Sequence, residues 1–321
     1  MNPKIKVIGV GGSGSNTVSR IAKFEMPDAE LLAVNTDAQA LHFAKADKKI
    51  LIGKNITKGL GTGMDANLGR KSAEENRQEI TEVLCGGPAS AKASAGKADM
   101  VFVTCGLGGG TGSGASPVIA EISKSLGILT VAVVTLPFSF EGQERKKVAE
   151  SALRSLKEKV DSLLVISNDK LLKIIDEKTT VSNAFLMCDD ILREAVQSIT
   201  DLILVPGIIN IDFASVLAVM KNSGHALFGS GKSFGENRAV KAAELAITSP
   251  LLDFSIKGAK GVLFSVSGND ITLNEIQEAA KVITKNVDAK AQIIFGAVKP
   301  PKGCPDLKKG EVKVTVIATK L

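Results

Sequence analysis

The chain has no tryptophan and no tyrosine, only two histidines, and four cysteines scattered over 321 residues. Each scarcity excludes something. Cys85, Cys105, Cys188 and Cys304 lie far apart with no C-x-x-C spacing, so neither a zinc site nor a disulfide framework is expected, which fits a reducing compartment. His42 and His225 cannot build a His-rich centre, and no metal site of the protein's own is expected. A Ser-His-Asp hydrolase finds no supporting feature either. No apolar stretch approaches the roughly 18 to 20 residues that span a bilayer, so direct membrane insertion is not expected. The apolar start is broken by glycine from Gly9, too early for a secretory signal, and a cytoplasmic location follows. Without tyrosine or tryptophan, the stacking platforms of single-strand binders would fall to 12 phenylalanines, most of them in apolar runs. The net charge of +6 therefore reads as a solvated lysine face rather than a nucleic-acid groove.

What is present is an ordinary globular composition, 44% apolar and 23% charged, long enough for about two domains. Strand-like runs at Ile5–Ile8, Leu31–Val34, Met100–Thr104, Thr130–Val134 and Leu163–Ile166 alternate with helical patterns such as Ser15–Phe24, Ala73–Leu84 and Val118–Leu126. Continuous β-branched runs separated by helices predict a mostly parallel sheet covered on both faces. From about Ser182 to Leu204, apolar residues recur at 3/4 spacing (Ile191, Leu192, Ala195, Val196, Ile199, Leu202, with Phe185 in phase), and Pro206-Gly207 ends the pattern. Helical patterns at Ala214–Lys221 and Glu236–Ile247 and strand-like runs at Gly261–Val266, Gln292–Phe295 and Val312–Ala318 then predict a second, smaller α/β domain. The expected division is a first domain over 1–180, a long central helix over 181–205, and a second domain over 206–321. The Ala/Ser/Gly/Lys-rich stretch Gly86–Lys97 reads as a flexible surface insertion.

Two glycine loops carry the chemistry. Gly9, Gly11 and Gly14 form G-x-G-x-x-G between a strand and a helix, the context in which backbone N–H groups and a positive helix end meet a pyrophosphate. Alone, this loop suggests a dinucleotide fold with Asp37 as ribose partner. A second loop, Cys105 to Gly114, follows another buried strand, and two converging glycine loops suit a triphosphate better than a dinucleotide. No Walker A motif is present. The nearest approach, Gly231-Lys232-Ser233, lacks the first glycine, Ala226 standing there, and follows a segment that reads as helical.

Gly108-Gly109-Gly110-Thr111-Gly112-Ser113-Gly114 resembles the tubulin signature G-G-G-T-G-[ST]-G. Further stretches, Asn35-Thr36-Asp37, Gly59-Leu60-Gly61-Thr62-Gly63, Pro137 to Gly142, Asn168 to Leu171 and Asp212-Phe213-Ala214, make the chain similar to the tubulin/FtsZ family from about Ile5 to Thr319. The resemblance implies a GTP-binding domain joined by a long central helix to a smaller domain that activates hydrolysis. It also implies GTP or GDP as ligand, with Mg2+ bound through the phosphates. Gly11, Gly12, Ser13, Gly14, Ser15 and Asn16, and opposite them Gly108, Gly109, Gly110, Thr111 and Gly112, would cradle the phosphates. Thr62, Gly63 and Met64 would sense the γ-phosphate, Thr135 would lie in the same pocket, and Glu141 and Arg145 would contact ribose and phosphate. Asn168 and Asp189 would read guanine and Phe185 would stack on it. The base chemistry is sound, since a carboxylate accepts from guanine N1–H and N2–H2 and adenine offers no such pair.

The family resemblance further implies that the loop after the central helix enters the next subunit's pocket. Hydrolysis would then be completed between subunits of a head-to-tail filament, in the cytoplasm at the division site, with ring tethers and regulators as partners. Asn210 and Asp212 match the catalytic pattern N-x-D-x-x-D, but Ser215 stands in place of the final aspartate. Slow hydrolysis is the expectation. The residues leave two alternatives: a filament protein that binds GTP and scarcely turns it over, or Ser215 merely capping the helix that follows.

Overall fold

The computed structural model describes residues 2–23, 29–87, 96–172, 175–176, 178–249, 255–299 and 307–320. The chain divides into two compact units, Met1–Gln197 and Ser198–Leu321. In the first, strands β1 (Ile5–Val10), β2 (Ala29–Asn35), β3 (Lys48–Leu51), β4 (Met100–Gly106), β5 (Leu129–Leu136) and β6 (Ser162–Ser167) stand in the order β3-β2-β1-β4-β5-β6. All five pairings are parallel. Every residue of β1 is buried, and so are the first six of β4, as expected of largely apolar strands covered on both faces; Lys6 is buried in β1 with its ammonium paired to Glu30 at 2.6 Å. The core joins these strands to helices through Val10, Val103, Val118, Ile119, Ala149 and Leu156. Strand order reverses between β1 and β4, and ligands of open α/β sheets bind beyond the carboxyl ends of the strands at such a point.

The second unit holds β7 (Gly224–Phe234), β8 (Gly261–Gly268), β9 (Gln292–Val298) and β10 (Glu311–Thr319) in the order β7-β10-β8-β9. Strand β10 is antiparallel to both neighbours, whereas β8 and β9 are parallel. Helices Arg238–Ile247 and Leu273–Thr284 pack on it through Ala239, Ala242, Ala243, Ala246, Ala279 and Ile283. Helix Val181–Leu204 runs from the first unit into the second. Its Leu192, Ala195, Val196, Ile199 and Leu202 are buried as the spacing predicts, while Phe185 stays 39% exposed.

Four expectations about elements need correction. The Ala73–Leu84 pattern is not one helix: helices Ala66–Glu75 and Arg77–Cys85 meet at Asn76. The segment before Gly231-Lys232-Ser233 is not helical: it is β7, with Gly231 in mid-strand. A Cβ on Gly231 would sit 2.2 Å from the Ala242 carbonyl oxygen, so this glycine admits a helix against the sheet and the near-Walker string holds no phosphate. Asp37 does not line the nucleotide cleft; its carboxylate caps helix Ala38–Phe43, accepting from the Ala40 N–H at 2.9 Å. The helices after the glycine loops also begin earlier than periodicity predicts, at Gly11 rather than Ser15 and at Gly110 rather than Val118. The first ends at Ile21, and Phe24, the expected end, lies outside the described residues. So does most of the Gly86–Lys97 stretch, namely residues 88–95.

The early helix starts have a packing cause. A Cβ on Gly114 would lie 2.0 Å from the Ala66 carbonyl oxygen, and one on Gly69 would lie 2.3 Å from that of Gly110. Helices Ala66–Glu75 and Gly110–Ser125 thus touch backbone to backbone, which glycine alone permits despite its poor helix propensity. Gly114→Ala must push them apart. A loss of roughly 3 kcal/mol or more is expected from such overpacking, visible as a drop of several degrees in thermal midpoint without nucleotide; an unchanged midpoint would contradict this packing.

Candidate nucleotide site

A cleft opens beyond the carboxyl ends of β1 and β4. It is lined by Val10, Gly11, Gly12 and Ser13 on one side, and by Gly106, Leu107, Gly109, Gly110, Thr111 and Gly112 on the other. Thr62, Thr135, Pro137, Glu141, Arg145, Asn168, Phe185, Cys188 and Asp189 complete the wall. Helices Gly11–Ile21 and Gly110–Ser125 start at this cleft, and no side chain caps either one. The first N–H groups of a helix have no intrahelical acceptor, and its N-terminus carries about half a positive charge. Two such ends at one cleft favour an anion with several charges.

The glycines divide by task. Gly9 and Gly14 pack on each other: a Cβ on Gly9 would meet the Gly14 carbonyl oxygen at 2.1 Å, and one on Gly14 would meet that of Thr104 at 2.5 Å. Gly12 and Gly109, by contrast, have nothing within 4 Å of a would-be Cβ. They leave room for a ligand to reach the backbone. Gly11 combines both demands, with φ at +73° and a Cβ that would meet the Gly112 nitrogen at 3.0 Å. Gly108 is held beside the cleft, its N–H donating to Ser113 Oγ at 2.8 Å in the buried turn.

At the other end of the cleft lie the groups suited to a base. Asp189 is 9% exposed, whereas its neighbour Asp190 keeps half its side chain in solvent. Asp189 Oδ1 accepts from Ser13 Oγ at 3.3 Å, and Oδ2 lies 3.6 Å from Arg20 Nε. Burial raises its carboxyl to about 6 from the ordinary 3.8; Arg20 and Ser13 oppose that rise and Asp190 adds to it. Such a carboxylate is short of donors. Asn168, the first residue of helix Asn168–Leu171, is buried, and its Oδ1 has no hydrogen-bond partner among the described residues. Phe138 stacks on Phe140 at 4.9 Å and meets Phe185 edge-on at 5.4 Å. Glu141 accepts from the Phe138 N–H at 2.8 Å and pairs with Arg145 Nη1 at 3.0 Å. Cys188 faces the cleft with its thiol pushed up to about 12, first by burial and then by the charges of Asp189 and Glu141.

Of the expected site residues, the cleft gathers Gly11, Gly12, Ser13, Thr62, Gly109, Gly110, Thr111, Gly112, Thr135, Glu141, Arg145, Asn168, Phe185 and Asp189. Gly14, Ser15, Asn16, Gly63, Met64 and Gly108 lie outside its lining: Gly14 and Ser15 are buried beneath the loop, and Asn16, Gly63 and Met64 are exposed. The sequence assigned no individual role to Val10, Gly106 and Leu107, which lie in its two glycine loops, nor to Pro137 or Cys188. Val10 and Gly106 end their strands, so strand ends at the reversal point were the available signal; nothing local marked Cys188. In the second unit Asn210 accepts from the Gly207 N–H at 2.6 Å. Asp212 is the cap of helix Phe213–Met220, accepting from the Ser215 N–H at 2.7 Å. Ser215 is thus a donor to the cap and not the cap itself, which corrects the capping alternative.

Parallel strands, a strand-order reversal and two uncapped helix ends define a nucleotide-binding α/β protein with a phosphate cradle built from both sides. Within that class, residues 4–176 match the Tubulin/FtsZ family, GTPase domain, and residues 224–321 the FtsZ family, C-terminal domain. The chain belongs to the tubulin/FtsZ family of GTPases. It is similar to the FtsZ dimer, empty, of M. jannaschii, at 44% identity and a TM-score of 0.91 over 99% of this chain and 88% of that one. Two Haloferax volcanii structures share the fold at 22% identity. They are a GDP-bound CetZ1 monomer, with a TM-score of 0.82 over 99% of this chain and 94% of that one, and a GTPγS-bound CetZ2 protofilament, with 0.80 over 98% and 92%.

Proposed function

We propose that this protein binds GTP in the cleft and assembles head to tail into filaments of the division ring in the cytoplasm, hydrolysing GTP between neighbouring subunits. The observation that carries the reading is the pairing of two uncapped helix ends with a donor-poor Asp189 and an orphaned Asn168 Oδ1 across one cleft. The helix ends receive the phosphates, with Gly12 and Gly109 allowing close approach, and Mg2+ enters with the phosphates. Asp189 accepts from guanine N1–H and N2–H2, Asn168 Oδ1 accepts a further donor, Phe185 covers the base, and Glu141 and Arg145 hold the ribose side. Residues 1–180 act as the GTP-binding domain, 181–205 as the central helix and 206–321 as the activating domain.

Asn210 and Asp212 act in the pocket of the adjacent subunit. Asp212 is exposed and its carboxyl is held below the ordinary range by the Ser215 hydroxyl and N–H, so it is ionised at neutral pH and able to accept a proton from water. A contact of loop on pocket is heterologous and does not close, which gives open filaments; the related CetZ2 structure is itself a protofilament. Ring tethers and regulators are the further partners. Ser215 favours a second reading, a GTP-binding filament with little turnover, because it brings no second charge to the loop.

Equilibrium binding and pelleting test the proposal in one series. GTP is expected to bind at least tenfold tighter than ATP, since adenine offers the buried, poorly compensated carboxylate no donor pair. Polymer should pellet with GTP and less so with GDP. Equal affinity for ATP and GTP would remove the base-reading assignment, and closed dimers in place of polymer would remove the filament.

A further inference from the structure

Three threonine hydroxyls form a buried chain beside the cleft. Thr36 Oγ1 lies 2.6 Å from Thr111 Oγ1, and Thr111 Oγ1 lies 3.2 Å from Thr62 Oγ1. Thr111 and Thr62 line the cleft; Thr36, with no exposed surface, does not. Thr111 sits in the first turn of helix Gly110–Ser125, Thr36 just after β2, and Thr62 in the glycine loop. Thr36 also holds that loop by its main chain, its carbonyl accepting from the Gly61 N–H at 3.2 Å and from Thr57 Oγ1 at 3.3 Å. Two left-handed non-glycine residues, Lys58 at φ 53° and Met64 at φ 70°, bracket the loop. Such backbone is rare outside glycine and persists where surrounding bonds impose it.

We propose that Thr36 is a positioning residue that makes the cleft distinguish a nucleoside triphosphate from a diphosphate, by fixing which way the Thr111 and Thr62 hydroxyls donate. The proposal rests on the GTP reading above. Each hydroxyl has one proton to give and two lone pairs. When a terminal phosphate oxygen takes the proton of Thr111, that hydroxyl can only accept from its neighbours, and Thr36 is placed to supply the donor. The polarised Thr111 then gives a stronger bond to the anion, as linked hydroxyls do. Thr62, no longer needed as the donor to Thr111, turns its proton to the same phosphate and draws the Gly59–Met64 loop with it. With a diphosphate nothing takes the Thr111 proton, which turns instead to Thr36 or Thr62 Oγ1, and the pull on the loop is absent.

The test measures affinities of the full chain for GDP and for a slowly hydrolysed GTP analogue, below the concentration at which polymer pellets. Thr36→Val keeps the shape and removes the hydroxyl. It should weaken the analogue about fivefold or more, the scale of one hydrogen bond, and leave GDP within about twofold. Thr36→Ser should restore the wild-type ratio. Thr62→Val, which breaks the other link, should show the same selective loss. Equal weakening of both ligands by Thr36→Val, an unaltered ratio, or failure of the serine to rescue would overturn the proposal. So would a wild-type ratio in Thr62→Val, even were Thr36→Val not to fold. Wild-type protein that binds neither nucleotide would overturn the GTP reading itself, before any substitution is made.

Discussion

Asp189→Asn should weaken GTP binding at least tenfold at pH 7.5 and much less at pH 5, while making the nucleotide-free protein more stable at neutral pH. Both effects follow from one poorly compensated carboxyl. Its folded value of about 6 lies above the ordinary 3.8, chiefly because burial disfavours the charged form. The folded state therefore holds the proton more tightly than the unfolded state does. This favours the fold fully below pH 4, and the advantage is lost as pH rises through about 6. Holding a carboxyl that far up corresponds to roughly 3 kcal/mol once ionised. Asparagine removes that burden, so the variant should melt several degrees higher than wild type at pH 7.5 and no higher at pH 4.

For GTP the sign reverses. The ionised carboxylate accepts from guanine N1–H and N2–H2, and protonation removes one of those acceptors, so wild-type affinity should fall as pH drops through about 6. Phosphate groups also titrate near there, so the informative quantity is the ratio of wild-type to Asp189→Asn affinity, measured from pH 5 to 8. A ratio flat across that range would show that Asp189 does not read the base, and a variant no more stable than wild type at pH 7.5 would show that the carboxyl carries no burial penalty.

Asp212→Asn should cut phosphate release per polymerised subunit by about 10²-fold or more, the usual range for losing a general base, with GTP binding and thermal midpoint little changed. Asparagine caps helices about as well as aspartate, so the substitution separates chemistry from folding. The cap on Ser215 at 2.7 Å survives it; the charge does not. Ser215→Asp should act in the opposite direction. Position 215 lies in the first turn of helix Phe213–Met220, where the helix end favours a negative charge, so the new acid is tolerated beside Asp212. Turnover should rise at least tenfold at equal polymer mass, within the span that one acid or base group contributes, and filaments should become shorter-lived. Unchanged turnover in Ser215→Asp would mean that the serine is not what limits hydrolysis. Unchanged turnover in Asp212→Asn would remove the loop from the chemistry altogether.

Local sequence showed the parallel strands because burial on both faces favours mostly apolar runs rich in Val, Ile and Leu, and β1, β4, β5 and β6 are such runs. Strand β7 escaped because Gly224, Gly229, Gly231 and Ser230 dilute its apolar pattern; of these, Gly231 leaves the room that helix Arg238–Ile247 occupies. The helix starts at Gly11 and Gly110 escaped for the same reason, since glycine argues against helix everywhere except where a neighbour's backbone leaves no room for a Cβ. At the site, motif spacing located both phosphate loops but could not tell Gly9 and Gly14, which pack, from Gly12 and Gly109, which stay open. That difference depends on what lies within 4 Å, and no spacing rule contains it.

The sequence by itself determined the class of fold, the two glycine loops and their family, and the substitution of Ser215 for an acid, because periodicity, glycine and residue identity are properties of the chain. Tertiary structure decided which of the expected residues share the cleft and which unexpected ones join them. Asp189 and Ser13 are far apart in sequence yet meet at 3.3 Å, Cys188 enters the wall unannounced, and Thr36, Thr62 and Thr111 join through their hydroxyls from three separate elements. The physical reason is that burial and hydrogen bonding depend on distances through space. A threonine in a strand-to-helix turn becomes part of a nucleotide site only when folding of the parallel sheet brings two other hydroxyls within reach of its own.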